Sequence, residues 1–259
     1  MSTVSFNYTN KKVIVTGAAG MFGSWISKAF HLAGADLWLI DIDEDKLLNF
    51  TKAFKGDRVR LSTFDLTEET SVQIFFKEVQ REWGYADILI NNAGIYPNGK
   101  LLDTDLCRWD QVMDLNIRAP FVMTKQFSEL LIQEEKPGSV INIISKSAKT
   151  PRIGGVPYAM SKAALEMMTR GFGMELAEYK IRVNAVSPGF APGSEVNALS
   201  DEYIEAMCRK IPLGRTSGPN DAPQTILFLC SEAADFITGS SIYVDGGNSA
   251  GDFTIPISN

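Results

Sequence analysis

Short apolar runs alternate with longer amphipathic stretches along the whole chain, and this alternation constrains the fold more than any other feature. Several runs are apolar throughout, as strands buried on both faces of a parallel sheet must be. The stretches between them have the period of helices. Strands alternating with helices through right-handed crossovers predict an α/β fold, a doubly wound parallel sheet of about seven strands with helices on both faces.

The boundaries of these elements follow from turn-forming residues between the runs. Strands are predicted at residues 12–16, 36–41, 58–64, 86–91, 139–144, 181–186 and 241–244. Helices are predicted at residues 21–33, 43–54, 68–83, 106–133, 157–178, 201–210 and 222–231. No linker divides the chain, which predicts a single domain over residues 1–259. The Pro- and Gly-rich segment at about 188–215 follows a late strand, where loops cover the ligand crevice, and is interpreted as a lid.

Charge and composition exclude several classes of protein. With 25 basic and 31 acidic side chains the net charge is -6, so the chain is not a strongly basic nucleic-acid binder. The single histidine, His31, excludes Ser-His-Asp catalysis and two-histidine zinc sites, and no metal is expected. No apolar run approaches about 18 residues, and the first residues lack a signal-peptide core. We therefore expect a cytoplasmic protein with no membrane partner.

A glycine-rich turn, TGAAGMFG at residues 16–23, follows the first predicted strand. Glycines there let the backbone approach a pyrophosphate, whose charge meets the first amides of the next helix. Asp41 ends the second strand 24 residues after Gly17, where a carboxylate accepts hydrogen bonds from ribose hydroxyls. The alternative for Asp41 is a helix cap or a solvated carboxylate. Because Asp41 repels a 2′-phosphate and Ile42 adds no positive charge, the pair predicts NAD rather than NADP.

A second cluster carries acid-base chemistry. Tyr158 and Lys162 are four residues apart, which on a helix places the phenol and the ammonium on one face. A cation there favours the phenolate and is expected to lower the tyrosine pKa, so that Tyr158 exchanges a proton with an alcohol or carbonyl. Ser145 precedes this pair by thirteen residues. The motif Y-x-x-x-K alone is common on exposed helix faces, and its weight comes from the rest of the pattern.

Taken together, these motifs resemble the short-chain dehydrogenase/reductase family over nearly the whole chain. The matching segments, in the family's order, are the glycine turn, Asp65, Asn91-Asn92-Ala93-Gly94, Asn116, Ser145, Tyr158 with Lys162, Ser187-Pro188-Gly189 and Asp245-Gly246-Gly247. The resemblance implies an NAD-dependent alcohol dehydrogenase or carbonyl reductase with a small-molecule alcohol or ketone as substrate.

The resemblance also implies a role for each position. Ser145 would polarise the reacting oxygen, Tyr158 would transfer the proton, and Lys162 would hold the nicotinamide ribose. Asn116 would hold a water that links the lysine to solvent, and Asp65 would bind the adenine amino group. The residues expected to contact NAD are Gly17, Gly20, Met21, Phe22, Gly23, Asp41, Ile42, Asp65, Leu66, Asn92, Ala93, Gly94, Tyr158, Lys162, Pro188 and Gly189.

Two departures from the family pattern keep alternatives open. Met21 replaces the middle glycine of T-G-x-x-x-G-x-G and leaves T-G-x-x-G-x-x-G, the spacing of sugar-nucleotide epimerases and dehydratases. The position that often carries a carboxamide-binding threonine is Gly193, followed by Ser194. The chain ends 12 residues after Gly247, which leaves no room for an epimerase substrate domain. A non-catalytic NAD-binding protein is the third possibility.

Two further expectations concern partners. The predicted helices at 106–133 and 157–178 carry apolar residues on more than one face, which predicts a homo-oligomer, and the resemblance implies a tetramer paired through these helices. The apolar residues are Phe121, Met123, Met167, Met168, Phe172 and Met174. Between Ser145 and Tyr158 lie Lys146, Lys149 and Arg152, a basic run that favours an anionic substrate or is simply a solvated loop.

Overall fold

The computed structural model describes residues 6–54, 56–193 and 199–251, and at its centre is a parallel sheet of seven strands. The strand order is 3-2-1-4-5-6-7, with every neighbouring pair parallel. The predicted fold class is therefore confirmed. The strands are β1 (Lys12–Thr16), β2 (Asp36–Asp41), β3 (Val59–Thr63), β4 (Ile88–Asn91), β5 (Gly138–Ile143), β6 (Ile181–Pro188) and β7 (Ser241–Val244).

Helices connect the strands and cover both faces of the sheet. They are α1 (Met21–Leu32), α2 (Glu44–Thr51), α3 (Glu69–Trp83), α4 (Leu106–Met113), α5 (Ala119–Gln133), α6 (Val156–Glu175), α7 (Asp201–Cys208) and α8 (Ala222–Cys230). Within the described ranges, no helix is both long and apolar enough to cross a membrane.

Alternate residues of each central strand enter two separate cores. In β1, Val13 and Val15 join the core beneath α1, α2 and α8, whereas Ile14 joins the core beneath α3 and α5. All three side chains are fully buried. A strand with a core on each side has no solvent-facing residues, which explains why the sequence shows continuous apolar runs rather than alternation.

The predicted helix at 106–133 is broken by a π-helical turn at Asp114–Arg118. Pro120 has no amide hydrogen, so the carbonyl of Asn116 cannot accept the ordinary bond from the residue four positions later. A wider turn resolves this conflict, and such turns are frequent at functional sites. Asn116 is completely buried inside it.

The parallel sheet places the functional residues together at the carboxyl ends of its strands. Strand order reverses between β1 and β4, and ligands of such sheets bind beyond the carboxyl ends at this switch point. Gly17 follows β1, Asn92 follows β4 and Ser145 comes shortly after β5. Asp41 and Pro188 are the last residues of β2 and β6. The fold therefore gathers segments that are up to 171 positions apart in the sequence, from Gly17 to Pro188.

Candidate active site

The predicted catalytic side chains come from two neighbouring elements. Ser145 begins a 3-10 turn after β5, where its Oγ accepts a hydrogen bond from the amide of Ser147 at 3.1 Å. Tyr158 and Lys162 lie one turn apart on α6, and Lys162 Nζ is 5.8 Å from the centre of the Tyr158 ring. A hydrogen bond joins the Ser145 side chain to the Tyr158 phenol. The structure thus brings all three side chains together.

Burial dominates the electrostatics of this cluster. It raises the pKa of Tyr158 above the ordinary value, and the Ser145 hydrogen bond and the charge of Arg152 oppose only part of the rise. It also lowers the pKa of Lys162 to about 8, because a buried ammonium loses its hydration. Lys162 Nζ donates to the carbonyl of Ile143 at 2.7 Å. The net lowering of the tyrosine pKa expected from sequence is therefore not found.

Asn116 fixes the loop after β4 to α6. Its Nδ2 donates to the carbonyl of Ile95 at 2.9 Å and to Ser161 Oγ at 3.0 Å, and its Oδ1 accepts from the amide of Ile95 at 2.9 Å. A Cβ on Gly94 would lie 3.1 Å from Asn116 Oδ1 and 3.5 Å from Lys162 Nζ. Both amide ends of Asn116 are thus engaged by protein, and the side chain positions the loop that borders Lys162.

The glycine turn is built for close approach of the backbone. Gly17 has φ +61°, and a Cβ on Gly23 would lie 2.0 Å from the carbonyl oxygen of Gly17. Helix α1 begins at Met21 with no side-chain cap, so its first amides, including that of Phe22, are donors without a helical acceptor. A pyrophosphate is the kind of anion such donors bind. The residues present therefore fit a dinucleotide, although Met21 replaces the middle glycine.

Thr16, the first residue of the glycine-rich segment, has a role at the site that was not predicted from the sequence. Its Oγ1 accepts from the amides of Asn92 and Ala93 at 3.0 and 3.1 Å. Asn92 Nδ2 in turn donates to the carbonyls of Thr16 and Gly17 at 3.0 and 2.9 Å. Asn92 thus binds the glycine turn to the loop after β4. The signal in the sequence is a hydroxyl at the end of one central strand and an amide just after the next.

Two carboxylates lie where the adenosine end of a dinucleotide is expected. Asp41 Oδ2 accepts from the amide of Ala19 in the glycine turn at 2.9 Å, which holds the carboxylate against that turn. Asp65 Oδ1 accepts from the amide and hydroxyl of Thr67 at 2.9 and 2.8 Å. Leu66 is buried beside a small cavity that Ala93 also lines. Ile42 is 69% exposed.

The opposite end of the crevice is formed by the end of β6. A Cβ on Gly189 would lie 3.0 Å from Asp245 Cα, so the Pro188-Gly189 backbone packs directly on the segment after β7. Gly193 has φ +102° and lies near the Met21 methyl group. The predicted lid is described only at 188–193 and 199–215, and Ser194 lies outside the described residues.

The basic run between Ser145 and Tyr158 is split by its contacts. Lys146 Nζ donates to Asn248 Oδ1 at 2.8 Å, and Lys149 Nζ lies 3.7 Å from the centre of the Tyr243 ring. Both lysines are therefore turned toward β7 and the segment after it. Of the three basic side chains that favour an anionic substrate in the sequence, Arg152 is the one whose charge acts on Tyr158.

Comparison with known proteins gives matches over nearly the full length. A family model described as enoyl-(acyl carrier protein) reductase matches residues 17–249. A 2-dehydro-3-deoxy-D-gluconate 5-dehydrogenase of Formosa agariphila is 30% identical over 253 residues, covering 95% of this chain and 96% of the relative. A 3-oxoacyl-(acyl-carrier-protein) reductase of Thermotoga maritima is 32% identical over 239 residues, covering 92% and 97%.

Solved structures are similar over the same extent. A short-chain type dehydrogenase/reductase from Mycobacterium marinum has a TM-score of 0.89 and 28% identity, covering 95% of this chain and 98% of that one. A gluconate 5-dehydrogenase from Burkholderia cenocepacia, solved in complex with NADP and tartrate, has a TM-score of 0.88 and 27% identity at the same coverage.

Proposed function

The chain belongs to the short-chain dehydrogenase/reductase family, and on that premise we propose that it is an NAD(H)-dependent enzyme that interconverts an alcohol and a carbonyl compound. The observation that carries this proposal is the meeting of Ser145, Tyr158 and Lys162 beside the glycine turn, at the switch point of the sheet. When bound, the nicotinamide supplies the hydride acceptor or donor. The protein must hold the substrate oxygen and move one proton.

Each of the three side chains has one task. Tyr158 exchanges the proton with the substrate oxygen as general acid/base. Ser145 donates its one hydroxyl hydrogen to the substrate oxygen, in exchange for its bond to the phenol, and so fixes the position of that oxygen. Lys162 keeps a positive charge beside the phenol and contacts the nicotinamide ribose. Asn116 positions the loop next to Lys162, so in this scheme it acts through the lysine.

The remaining site residues hold NAD. The orphan amides of α1 bind the pyrophosphate, Asp41 the adenosine ribose and Asp65 the adenine. Asn92 keeps the glycine turn in place through its two bonds to the backbone of that turn. Pro188 and Gly189 border the nicotinamide.

We expect at least a ten-fold preference for NAD over NADP in kcat/KM, equivalent to about 1.4 kcal/mol. Asp41 sits against the glycine turn, where its charge would oppose a 2′-phosphate, and Ile42 offers no compensating cation. Steady-state kinetics with both cofactors measure the ratio. Asp41→Asn should move the ratio toward NADP, whereas Asp36→Asn, at the opposite end of β2, should leave it unchanged. Equal efficiency of the wild type with both cofactors would contradict the assignment to Asp41.

A substrate screen tests the proposed reaction directly. Secondary alcohols, polyols and hydroxy acids are incubated with NAD, and the absorbance of reduced nicotinamide is followed. Net reduction of NAD supports a dehydrogenase. The glycine spacing of this chain suggests an epimerase or dehydratase as the alternative. Such an enzyme would retain NAD through purification and show no net reduction of NAD. A non-catalytic NAD-binding protein would bind the cofactor and turn over none of the compounds.

The comparisons and the position of Arg152 favour small sugar acids as the substrate class. One relative is named for a gluconate derivative, and a similar structure was solved with tartrate. Both molecules combine hydroxyl groups with a carboxylate. Arg152 supplies a cation near Tyr158. We therefore propose a hydroxy acid, or the corresponding oxo acid, as the substrate.

We also propose that the enzyme is a homotetramer paired through α5 and α6. Val156, Met160, Met167 and Met174 form an exposed apolar stripe along α6, with Met174 80% exposed. Phe121 on α5 is 45% exposed and lies 5.7 Å from the Phe172 ring, whereas Met123 is part of the core. A helix packed only on its own sheet has no need of a second apolar stripe.

Light scattering is expected to give about four times the chain mass of 28.5 kDa. Replacing Met167 and Met174 with glutamate should dissociate the assembly, because charges would then line the paired helices. Ile74→Glu on α3, at a side chain that is 61% exposed, is the matched control and should leave the mass unchanged. A wild-type mass of one or two chains would contradict the tetramer.

The domain organisation and the location are part of the same proposal. We infer one catalytic domain over residues 1–259, with the segment at about 188–215 as its lid, in a cytoplasmic enzyme. A Cβ on Gly193 would lie 3.2 Å from the Met21 methyl group, and this closeness of the segment to the glycine turn supports the lid.

A further inference from the structure

Most arginines of this chain are paired with a carboxylate. Within residues 6–54, 56–193 and 199–251, the exceptions are Arg58, which donates to the carbonyl of Ala35, and Arg108 and Arg152. The paired arginines are Arg60, Arg81, Arg118, Arg170, Arg182, Arg209 and Arg215. Arg108 and Arg152 therefore present positive charges that no described carboxylate neutralises.

These two arginines are 44 positions apart in the sequence but converge on one residue. Arg152 donates to Asn98 Oδ1 at 2.6 Å, and Arg108 donates to the carbonyl of Asn98 at 3.5 Å. Asp105, the acidic side chain that contacts this region, accepts the backbone amide of Arg108 at 2.7 Å and not its guanidinium. Two guanidinium groups thus flank a neutral amide, and each has further N–H donors beyond the one that binds Asn98.

Asn98 lies at the mouth of the proposed active site. It belongs to the loop that follows β4, and two residues earlier in that loop the Tyr96 ring lies 5.8 Å from the Tyr158 ring. The same loop is bonded to the segment before α6 through the amide of Gly99 and the carbonyl of Gly154, at 2.9 Å. Arg108 on α4 and Arg152 before α6 therefore both meet the loop whose Tyr96 ring lies beside the phenol.

We propose that Arg108 and Arg152 form a carboxylate-binding pair that holds the acid group of a hydroxy-acid or oxo-acid substrate while its hydroxyl or carbonyl faces Tyr158. This inference rests on the proposed function and adds the residues that select the substrate. A guanidinium binds a carboxylate through two parallel hydrogen bonds, a geometry that the amide of Asn98 does not offer. Asn98 holds the guanidinium of Arg152 in place until the carboxylate arrives.

Tartrate binding tests the pair without requiring turnover. Tartrate is titrated calorimetrically into the protein saturated with NAD, and threitol, the neutral four-carbon counterpart with the same central hydroxyls, is titrated in parallel. We expect the wild type to bind tartrate more tightly than threitol. Arg108→Gln and Arg152→Gln should each weaken tartrate binding about ten-fold, as expected for the loss of a charged hydrogen bond, and should leave threitol unaffected.

The controls separate this proposal from its alternatives. Arg81→Gln, on an exposed arginine of α3, keeps the net charge equal to that of each single variant and should bind tartrate like the wild type. NAD affinity should be unchanged in all variants, which confirms that they are folded. The double variant carries both Arg108→Gln and Arg152→Gln. If it bound tartrate as tightly as the wild type, or if neither protein bound tartrate, the arginine pair would be overturned.

The substrate screen judges the proposed function separately. If the wild type reduces NAD with neutral alcohols but does not bind tartrate, the arginine pair is wrong and the dehydrogenase stands. If tartrate binds in an arginine-dependent manner but no compound is turned over, the pair stands and the dehydrogenase is wrong. If acids are turned over, kcat/KM for gluconate should fall in the double variant mainly through a higher KM, because the arginines contact the acid group and not the reacting atoms.

Discussion

Replacing Tyr158 with phenylalanine is expected to lower kcat by about 10²–10⁴, the range that general acid-base catalysis contributes. Phenylalanine keeps the ring that packs beside Tyr96 but removes the hydroxyl that carries the proton. NAD binding should remain, because the orphan amides of α1 and the carboxylate of Asp41 are untouched. Steady-state kinetics on the best substrate from the screen, together with calorimetric NAD titration, measure both quantities.

Tyr179→Phe is the matched control for this variant. Tyr179 is 42% exposed and lies in the 3-10 turn after α6, so its hydroxyl has no access to the proposed site. The control should keep full activity and the same thermal unfolding midpoint. Full activity in Tyr158→Phe would refute the proposed mechanism. A loss of activity supports it when the variant still binds NAD and unfolds at the wild-type temperature.

Most of the fold follows from residues that act locally. The predicted bounds of β1, β2 and β7 agree with the structure, because a glycine or a charged residue ends each apolar run. The buried strands could also be assigned to a parallel sheet, since their continuous apolar character requires a core on each face. The right-handed crossovers follow from a general rule of chain connection. The strand order itself is seen only in the structure, and it places the glycine turn beside the end of β4.

The π-helical turn shows that the apolar periodicity at 106–133 was not enough to locate a break in the predicted helix. A single wide turn shifts the apolar pattern by one residue, which is within the variation of an ordinary amphipathic helix. The informative signal was Pro120, four residues after Asn116, because a proline there removes the helical bond to that carbonyl. The bonds of Asn116 to Ile95 and Ser161 depend on tertiary packing, so its positioning role could not be derived from its neighbours in the sequence.

Contacts between residues that are far apart in the sequence also determine the electrostatics of the site. Lys146, Lys149 and Arg152 are similar neighbours in the sequence, yet only packing against β7 distinguishes the two lysines from the arginine. Arg108 gave no sequence signal, because its relation to Arg152 exists only through Asn98. The direction of the Tyr158 pKa shift was missed for the same reason, since the degree of burial is a property of the folded state.

Replacing Lys162 with methionine is expected to change both the pH dependence of the reaction and the affinity for NAD. Lys162 and Tyr158 are buried side by side, and we propose that they titrate as a pair, in which the first proton leaves from either group and the apparent pKa belongs to both. Lys162 has a pKa of about 8. In the wild type, the rate of alcohol oxidation should therefore rise with pH through about 8, and that of carbonyl reduction should fall over the same range.

Methionine fills a similar volume but carries no charge, so the phenol would have to ionise alone in a buried site. Because burial already raises the Tyr158 pKa, the rising limb of alcohol oxidation should move upward in pH, beyond that of the wild type. At pH 7, kcat should fall by about 10² or more, within the range that acid-base catalysis supplies. NAD should also bind more weakly, because the ribose loses its contact with the ammonium.

The pH-rate profiles of Lys162→Met, Tyr158→Phe and the exposed control Lys77→Met distinguish a catalytic charge from a structural one. A lysine that only fills space would lower activity equally at every pH, and the limb near pH 8 would remain in place. A lysine that sets the ionisation of the phenol moves that limb when it is removed, whereas Lys77→Met leaves it unchanged. A limb at the wild-type pH in Lys162→Met would therefore assign the titration to another group and remove Lys162 from proton transfer.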